Sequence, residues 1–359
     1  MEILRYYLEL LSVSVELFLQ KLWMRNLPTL ESIGGPANGH VCIVTGPTSG
    51  IGWETAFALA QRGAHVILAC RSLSRGQALK ESIEAAAKSS GQAHPDVEVL
   101  QLDLSSLASI RRFSDAWKQR GRPLHILVNN AGIFSMSGPR SETEDGFEAH
   151  MGTNHLGHFL LTLLLLPSLR DTARQAGRPG RVVNVSSKLH FVGSLDTQDP
   201  QLLHRYSPLA AYSQSKLAQV LFAWELQRRT AGEVVSVAVH PGEVLTDVVR
   251  SLPGFLRYWY RLLMKAILLT PAQGKSFRVV LSGEADFIEI NVYCATSPDL
   301  DRPKAQGLYY YNSNCTPIQP SKQARDPLLA AWLWDWSARQ VGLPASANLP
   351  PAAEAADED

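Results

Sequence analysis

The sequence predicts a single doubly wound α/β domain: one mostly parallel, seven-stranded sheet with helices on both faces. Three observations lead there. Short runs rich in Val, Ile and Leu recur without polar alternation, as in strands buried on both faces of a parallel sheet. Helical patterns fall between these runs, so successive strands are joined by crossovers and pair in parallel. The first run, His40–Thr45, ends in Gly46, Gly50 and Gly52, and a helical pattern with apolar Ala56, Phe57, Leu59 and Ala60 begins at once.

Ahead of that domain, Leu4, Leu8, Leu11, Val15, Phe18 and Leu22 form one stripe at helical spacing, and Glu2, Arg5, Glu9, Ser12, Glu16 and Gln20 form the opposite one. A membrane-crossing helix needs about 20 mostly uncharged apolar residues. The longest charge-free run here is only Leu10–Val15. Residues 1–25 are therefore expected to form an amphipathic helix lying on a membrane surface. Packing against another protein, or a short or tilted span, are the other readings. Residues 26–39, with Pro28, Gly34, Gly35 and Pro36, read as a linker. The α/β domain is expected over 40–341, and an acidic, disordered tail over 342–359.

Within the domain, strands are expected at His40–Thr45, His65–Cys70, Val97–Leu102, His125–Asn129, Arg181–Ser186, Val234–His240 and Leu308–Tyr311. Helices are expected over 53–62, 73–89, 105–120, 144–168, 212–231 and part of 253–283. The strand, turn and helix at 40–62 offer free backbone N–H groups and a positive helix end to a phosphate. Gly46 permits the sharp turn, Gly50 a close approach to pyrophosphate, and Gly52 tight packing of helix on strand. Asp103, closing the third strand, is placed to accept from an adenine amino group or to cap the helix at Ser105. The fourth strand ends in Asn129-Asn130-Ala131-Gly132, at the edge where doubly wound sheets bind ligands. At that edge the fifth ends in Ser186-Ser187, where a serine either meets a substrate oxygen or caps a turn.

Tyr212 and Lys216 stand one helical turn apart on one face. An ammonium beside a phenol favours the phenolate, so the tyrosine pKa is expected to fall from ~10 toward the working pH. A tyrosine so tuned exchanges a proton with an alcohol or carbonyl while a hydride moves at the adjacent carbon. Alone, such a pair is more often a solvated surface pair.

Several features point elsewhere or nowhere. A net charge of +1, from 34 basic and 33 acidic residues, gives no electrostatic ground for a nucleic-acid partner. Cys42, Cys70, Cys294 and Cys315 lack disulfide or zinc spacing and read as core thiols in a reducing compartment. His155 and His158 have no acidic or cysteine partner nearby, so they read as core or interface histidines and no metal is expected. Asn184-Val-Ser fits the glycosylation pattern but falls in a buried strand. Phe159–Leu166 is apolar nearly all round, which fits plain core or half of a helix-pair homodimer interface. Arg250–Leu269 mixes Phe255, Trp259 and Tyr260 with Arg257, Arg261 and Lys265, and reads as a helix pair on the core or an apolar lid over a substrate channel.

Taken in order, Thr45-Gly46 through Ser49-Gly50-Ile51-Gly52, Asp103-Leu104, Asn130-Ala131-Gly132, Asn154, Ser187, Tyr212-x-x-x-Lys216 and Pro241-Gly242 resemble the short-chain dehydrogenase/reductase superfamily across residues 40–312. Leu68-Ala-Cys-Arg71, Thr153-Asn-His-Leu-Gly-His-Phe159 and Pro271-Ala-Gln-Gly274 are similar to its retinol dehydrogenase-like branch. The resemblance implies a Rossmann-fold oxidoreductase interconverting a lipophilic alcohol and its carbonyl. It implies Tyr212 as acid/base, Lys216 tuning it and binding the nicotinamide ribose, Ser187 (not Ser186) orienting the carbonyl, and Asn154 holding a relay water near Lys216. Pro241, Gly242 and Thr246 would shape the nicotinamide pocket. Arg71 stands where an NAD enzyme carries an acid, so the expected cofactor is NADP(H). With the amphipathic N-terminus, the expected place is the membrane surface of the endoplasmic reticulum or lipid droplets, with the catalytic domain in a reducing compartment.

The chain departs from that branch at Ser276–Asn291, interposed where the resembling enzymes keep one nearly continuous helix. A competing expectation follows: a nucleotide-binding regulator that keeps the fold but has impaired catalysis.

Overall fold

The computed structural model describes residues 34–89, 95–135, 138–241, 285–301, 309–311, 315, 317–343 and 349. The amphipathic helix over 1–25, the first part of the linker, the stretch Arg250–Leu269, Gly242, Thr246 and most of the acidic tail lie outside them. Among the described residues no helix is long and apolar enough to cross a membrane.

Eight strands form one sheet in the order β3-β2-β1-β4-β5-β6-β7-β8. The first seven are β1 Val41–Thr45, β2 His65–Cys70, β3 Val97–Gln101, β4 Ile126–Asn129, β5 Gly180–Val185, β6 Val234–His240 and β7 Tyr309–Tyr311. All pair in parallel and each matches an expected strand. The eighth, β8 Pro317–Ile318, is a two-residue antiparallel edge on β7 that the sequence did not signal. Its brevity and its leading proline suit a sheet edge, where no outer neighbour needs the missing N–H. β1, β4 and β6 are buried along their whole length, which is why they carry Val, Ile and Ala without alternation.

The helices are α1 Gly50–Gln61, α2 Leu73–Ser89, α3 Leu107–Arg120, α4 Gly157–Ala176, α5 Pro208–Arg229, α6 Ala285–Thr296 and α7 Pro327–Gln340. α5 begins where local chemistry dictates: Ser207 caps it by accepting from Ala210 N, and Pro208 occupies its first position. The helix expected over 144–168 starts later and runs further. A π-helical turn, Met151–Leu156, leads into α4. Glu148 sets that start, its carboxylate accepting from His150 N at 3.0 Å and Met151 N at 2.7 Å.

One expected boundary is corrected. The last linker residues belong to the domain: Ala37 is fully buried and bonds Arg62 O, and Gly35 N donates to Thr296 Oγ1 of α6. Of the two readings of Phe159–Leu166, the structure supports plain core: every residue but Leu164 is buried within the chain. Trp334 of α7 packs at 5.1 Å from Phe159 and 5.9 Å from Phe222, with the Arg229 guanidinium 4.6 Å over its indole. The described end of the interposed segment is core: α6 buries Ile290 and Asn291 completely, and Asn291 donates to Thr55 of α1. Asn184 is fully buried in β5 and donates to Ser236 Oγ and Val237 O, so it is no glycan acceptor.

Candidate active site

The carboxyl edge of the sheet assembles the expected residues from three directions. At the end of β1, Gly46 takes φ +61°, and a Cβ there would lie 2.8 Å from the Cα of Ala131. Only glycine fits that turn. The Asn130 side chain clamps it by donating to Thr45 O at 2.9 Å, and the Asn130 and Ala131 N–H groups both donate to Thr45 Oγ1. α1 follows with Ser49 at its N-cap making no side-chain cap bond and no acidic residue in its first turn. The N–H groups of Gly50, Ile51 and Gly52 thus face outward at a positive helix end, the arrangement that receives a phosphate.

One strand over, Thr45 is in register with Ala69, so Arg71 stands level with the glycine turn. Its side chain is exposed. On the far side of β2, Asp103 holds a turn, its Oδ1 accepting from Ser105 N at 2.9 Å and Ser105 Oγ at 2.7 Å. The helix cap itself falls to Ser106, and α3 starts at Leu107. Leu104 is buried beside it.

Toward the sheet centre lie Asn154, Ser187, Tyr212 and Lys216. The Ser186 hydroxyl is spent on Lys216 O at 2.8 Å. Ser187 caps the short helical turn Lys188–Phe191 by accepting from Leu189 N, and it stands beside Tyr212, where its side chain favours the phenolate. Lys216, 4% exposed, donates from Nζ to Val185 O at 2.8 Å and sits 5.6 Å from the Tyr212 ring centroid. Asn154 Oδ1 accepts from Ile133 N at 2.8 Å, and its Nδ2 donates to Ile133 O and Ser215 Oγ. Gly132 joins the two groups. A Cβ on it would meet Asn154 Oδ1 at 3.3 Å and Lys216 Nζ at 3.4 Å, so a bare glycine keeps the lysine and the amide together. Pro241, buried, follows β6 at the same edge.

Electrostatics correct one expectation. Burial pushes the Tyr212 hydroxyl up to about 12, the Ser187 side chain pulling the other way, and burial brings Lys216 down to about 8. The Lys216 ammonium, aimed at Val185 O, does not offset the loss of water around the phenol. Tyr212 is therefore a protonated phenol across the physiological range, a proton donor in waiting.

The sequence reading missed the group that walls Tyr212. Phe134 packs edge-on at 4.3 Å and His150 at 6.2 Å, with His150 Nδ1 donating to the buried Glu148 carboxylate at 2.8 Å. The signal was present: an acidic residue just ahead of an apolar helix start is a helix N-terminus marker. Exposed apolar side chains lie on the chain beyond. Ile133, Phe191, Val192 and Leu203 are 40%, 45%, 42% and 65% exposed, on the segments leading away from Gly132 and Ser187.

A glycine turn, a serine–tyrosine–lysine cluster and a clamped asparagine at one sheet edge define a dinucleotide-dependent oxidoreductase class of site. The sequence model of the short chain dehydrogenase family matches residues 40–254. The chain belongs to that family. It is 43% identical over 310 residues to the polyprenol dehydrogenase of Mus musculus, covering 86% of this chain and 85% of that protein. It is 40% identical over 307 residues to human (Homo sapiens) retinol dehydrogenase 11, covering 85% and 87%. Among solved structures, an uncharacterised protein from Mycobacterium Paratuberculosis superposes with a TM-score of 0.64 at 33% identity, covering 88% of this chain and 98% of that one.

Proposed function

We propose that the protein is an NADP(H)-dependent oxidoreductase that reduces a lipophilic aldehyde or ketone, of retinoid, polyprenyl or steroid-like character, to its alcohol, and runs the reverse reaction when cofactor ratios demand. The supporting observation is Tyr212 with Lys216 one helical turn on, its Nζ 5.6 Å from the tyrosine ring centroid, and with Ser187 beside it at the carboxyl edge of the sheet. The names of the relatives, a polyprenol and a retinol dehydrogenase, point to the same substrate class.

The residues present fit a dinucleotide. The uncapped N-terminus of α1 and the bare Gly46 turn would hold its pyrophosphate, Asp103 and Leu104 would border the adenine, and Arg71 would grip a ribose 2′-phosphate. Asn130, Ala131 and Gly132 would line the middle, and Lys216 the nicotinamide ribose. Pro241 would bound the nicotinamide ring, together with Gly242 and Thr246. Bound NADPH supplies hydride to the carbonyl carbon.

The chain supplies the rest. Ser187 donates to the carbonyl oxygen and holds it against Tyr212. As negative charge grows on that oxygen, the Tyr212 hydroxyl gives it a proton, and the product is the neutral alcohol. The phenolate left behind is stabilised by Lys216, whose charge persists up to pH about 8. Asn154, anchored on both sides of Ile133 and on Ser215, keeps one Oδ1 lone pair turned toward Lys216 for a water that returns the proton.

Purified full-length protein should consume NADPH with one or more of a panel of retinal, polyprenyl and fatty aldehydes and steroid ketones. Tyr212→Phe should bind NADPH yet turn over at least about a thousandfold slower. Full turnover in that variant removes the mechanism. NADPH binding without turnover of any panel member by the parent chain favours the regulator reading, in which Ser276–Asn291 has closed the substrate path.

A further inference from the structure

One buried side chain at the site, His158, is used by none of these steps. The Thr45 hydroxyl has four neighbours: the N–H groups of Asn130 and Ala131 at 2.9 and 3.0 Å, His158 Nε2 at 2.9 Å and Val128 O at 3.3 Å. A hydroxyl has one proton and two lone pairs. The two backbone donors take both lone pairs, so the single proton goes toward His158 Nε2, with Val128 O as its longer alternative. Nε2 is then bare, because a proton on it would be a third donor facing an oxygen with nothing left to accept it.

The other ring nitrogen must carry the proton of the neutral ring. His158 Nδ1 lies 2.9 Å from Asn154 O, and it donates there. Gln219 Nε2 from α5 donates to the same carbonyl at 2.5 Å, and its longer 3.3 Å approach to His158 Nδ1 is secondary to that bond and to the 2.9 Å contact of Nδ1 with Asn154 O. The π-helical turn makes this possible: Gly157 N pairs with Gly152 O, five residues back, and the widened backbone presents Asn154 O to side chains. His158 is fully buried, and that burial brings its pKa down to about 4 with Lys216 adding to the effect, so the ring stays neutral.

We infer that His158, locked as its neutral Nδ1–H tautomer, is a positioning residue for the reaction: one nitrogen fixes the Asn154 backbone, and through it the amide beside Lys216, while the other fixes Thr45 and, through it, the Asn130-Ala131 turn. The inference rests on the proposed oxidoreductase reading for what is positioned. The tautomer rests on the hydrogen-bond count alone.

Two half-replacements separate the two ends of the ring. Asn sets its amide nitrogen near the Nδ1 position, and Gln sets its terminal amide near Nε2. His158→Gln keeps an acceptor for Thr45 and loses the donor to Asn154, so kcat should fall about tenfold, the worth of one buried hydrogen bond, with a smaller change in the Kd for NADPH. His158→Asn loses the Thr45 contact, so the NADPH Kd should rise about tenfold, with a smaller fall in kcat. If both variants change kcat and Kd in the same proportion, the role is only structural and the inference fails. The ring itself is read by 15N-edited NMR of the cofactor-free parent protein at pH 7, which should show a protonated Nδ1 and a bare Nε2. An Nε2–H ring overturns the inference whether or not the protein turns over any aldehyde. An Nδ1–H ring in a protein that reduces no panel member sustains the tautomer and overturns the oxidoreductase reading instead.

Discussion

In the proposed reading, Arg71 is the residue on which cofactor choice turns. It leaves β2 level with the Gly46 turn and is exposed, so its guanidinium is free to meet a phosphate carried on the ribose. An aspartate at the same place would accept from a 2′-hydroxyl and repel a 2′-phosphate. Arg71→Asp should therefore raise the Kd for NADPH at least about tenfold while tightening NADH. A fluorescence titration of the two reduced cofactors measures both, and an unchanged preference would reassign the determinant. At this scale the sequence was legible wherever spacing carried chemistry. Tyr212 and Lys216 share a helix face, and Ser187 rather than Ser186 stands beside the tyrosine, the Ser186 hydroxyl being bonded to Lys216 O. Illegible were quantities set by burial. The Tyr212 pKa rises instead of falling because no string of letters states how much water a phenol loses. The joined roles of Thr45, Asn154 and His158 were hidden too, since 113 positions separate Thr45 from His158 and only the fold closes that distance.

Elements were legible in proportion to how local their causes are. Each parallel strand announced itself as an apolar run, and β2 and β6 have the expected ends to the residue. α4 did not, because its start is set by the Glu148 carboxylate and a π turn, neither of which has a hydrophobic period. β8, two residues long, is a tertiary contact and not a propensity. The amphipathic helix expected over 1–25 is, in the proposed reading, the element most separable from the domain. The chain is tied down just after it, by Gly35 on α6 and Ala37 on the end of α1, so the core begins downstream of the helix. Deleting residues 1–25 should leave NADPH binding intact and shift the protein from the membrane pellet to the supernatant on cell fractionation, as expected when about six apolar anchors are lost from a lipid interface. Equal pelleting of the truncated chain would move the attachment to another surface, such as Arg250–Leu269.

Over the whole molecule, the buried histidines couple folding to pH. His155, His158, His190 and His240 all have pKa values brought down from 6.5 by burial: to about 3 for His155 and His240, and about 4 for His158 and His190. His158, His190 and His240 each accept a hydrogen bond that requires a neutral ring, and His155 is fully enclosed. His155 pairs with Ser337 of α7 at 2.7 Å, His190 joins Ser187 O to Ser321 N, and His240 accepts from Lys188 N. Because the unfolded chain binds protons near pH 6.5 and the folded chain does not until far lower, the unfolded state holds more protons between those values, and stability rises with pH there. The contribution is complete above pH 6.5 and is lost as pH falls toward 4. One unit below 6.5 each ring costs on the order of 1 kcal/mol, so together they weigh heavily against the marginal stability of a folded domain. The protein should thus show a flat melting temperature from pH 7 to 8 and a steep fall between pH 6.5 and 5, measured by circular dichroism. His155→Asn, which removes one of the titrating rings from the α5–α7 side of the core, should make that fall shallower even if it lowers stability at pH 7. An unchanged acid slope in that variant would mean that the histidines do not govern acid unfolding, and that carboxylates such as Glu225 and Glu233, held below their usual range by arginines, do.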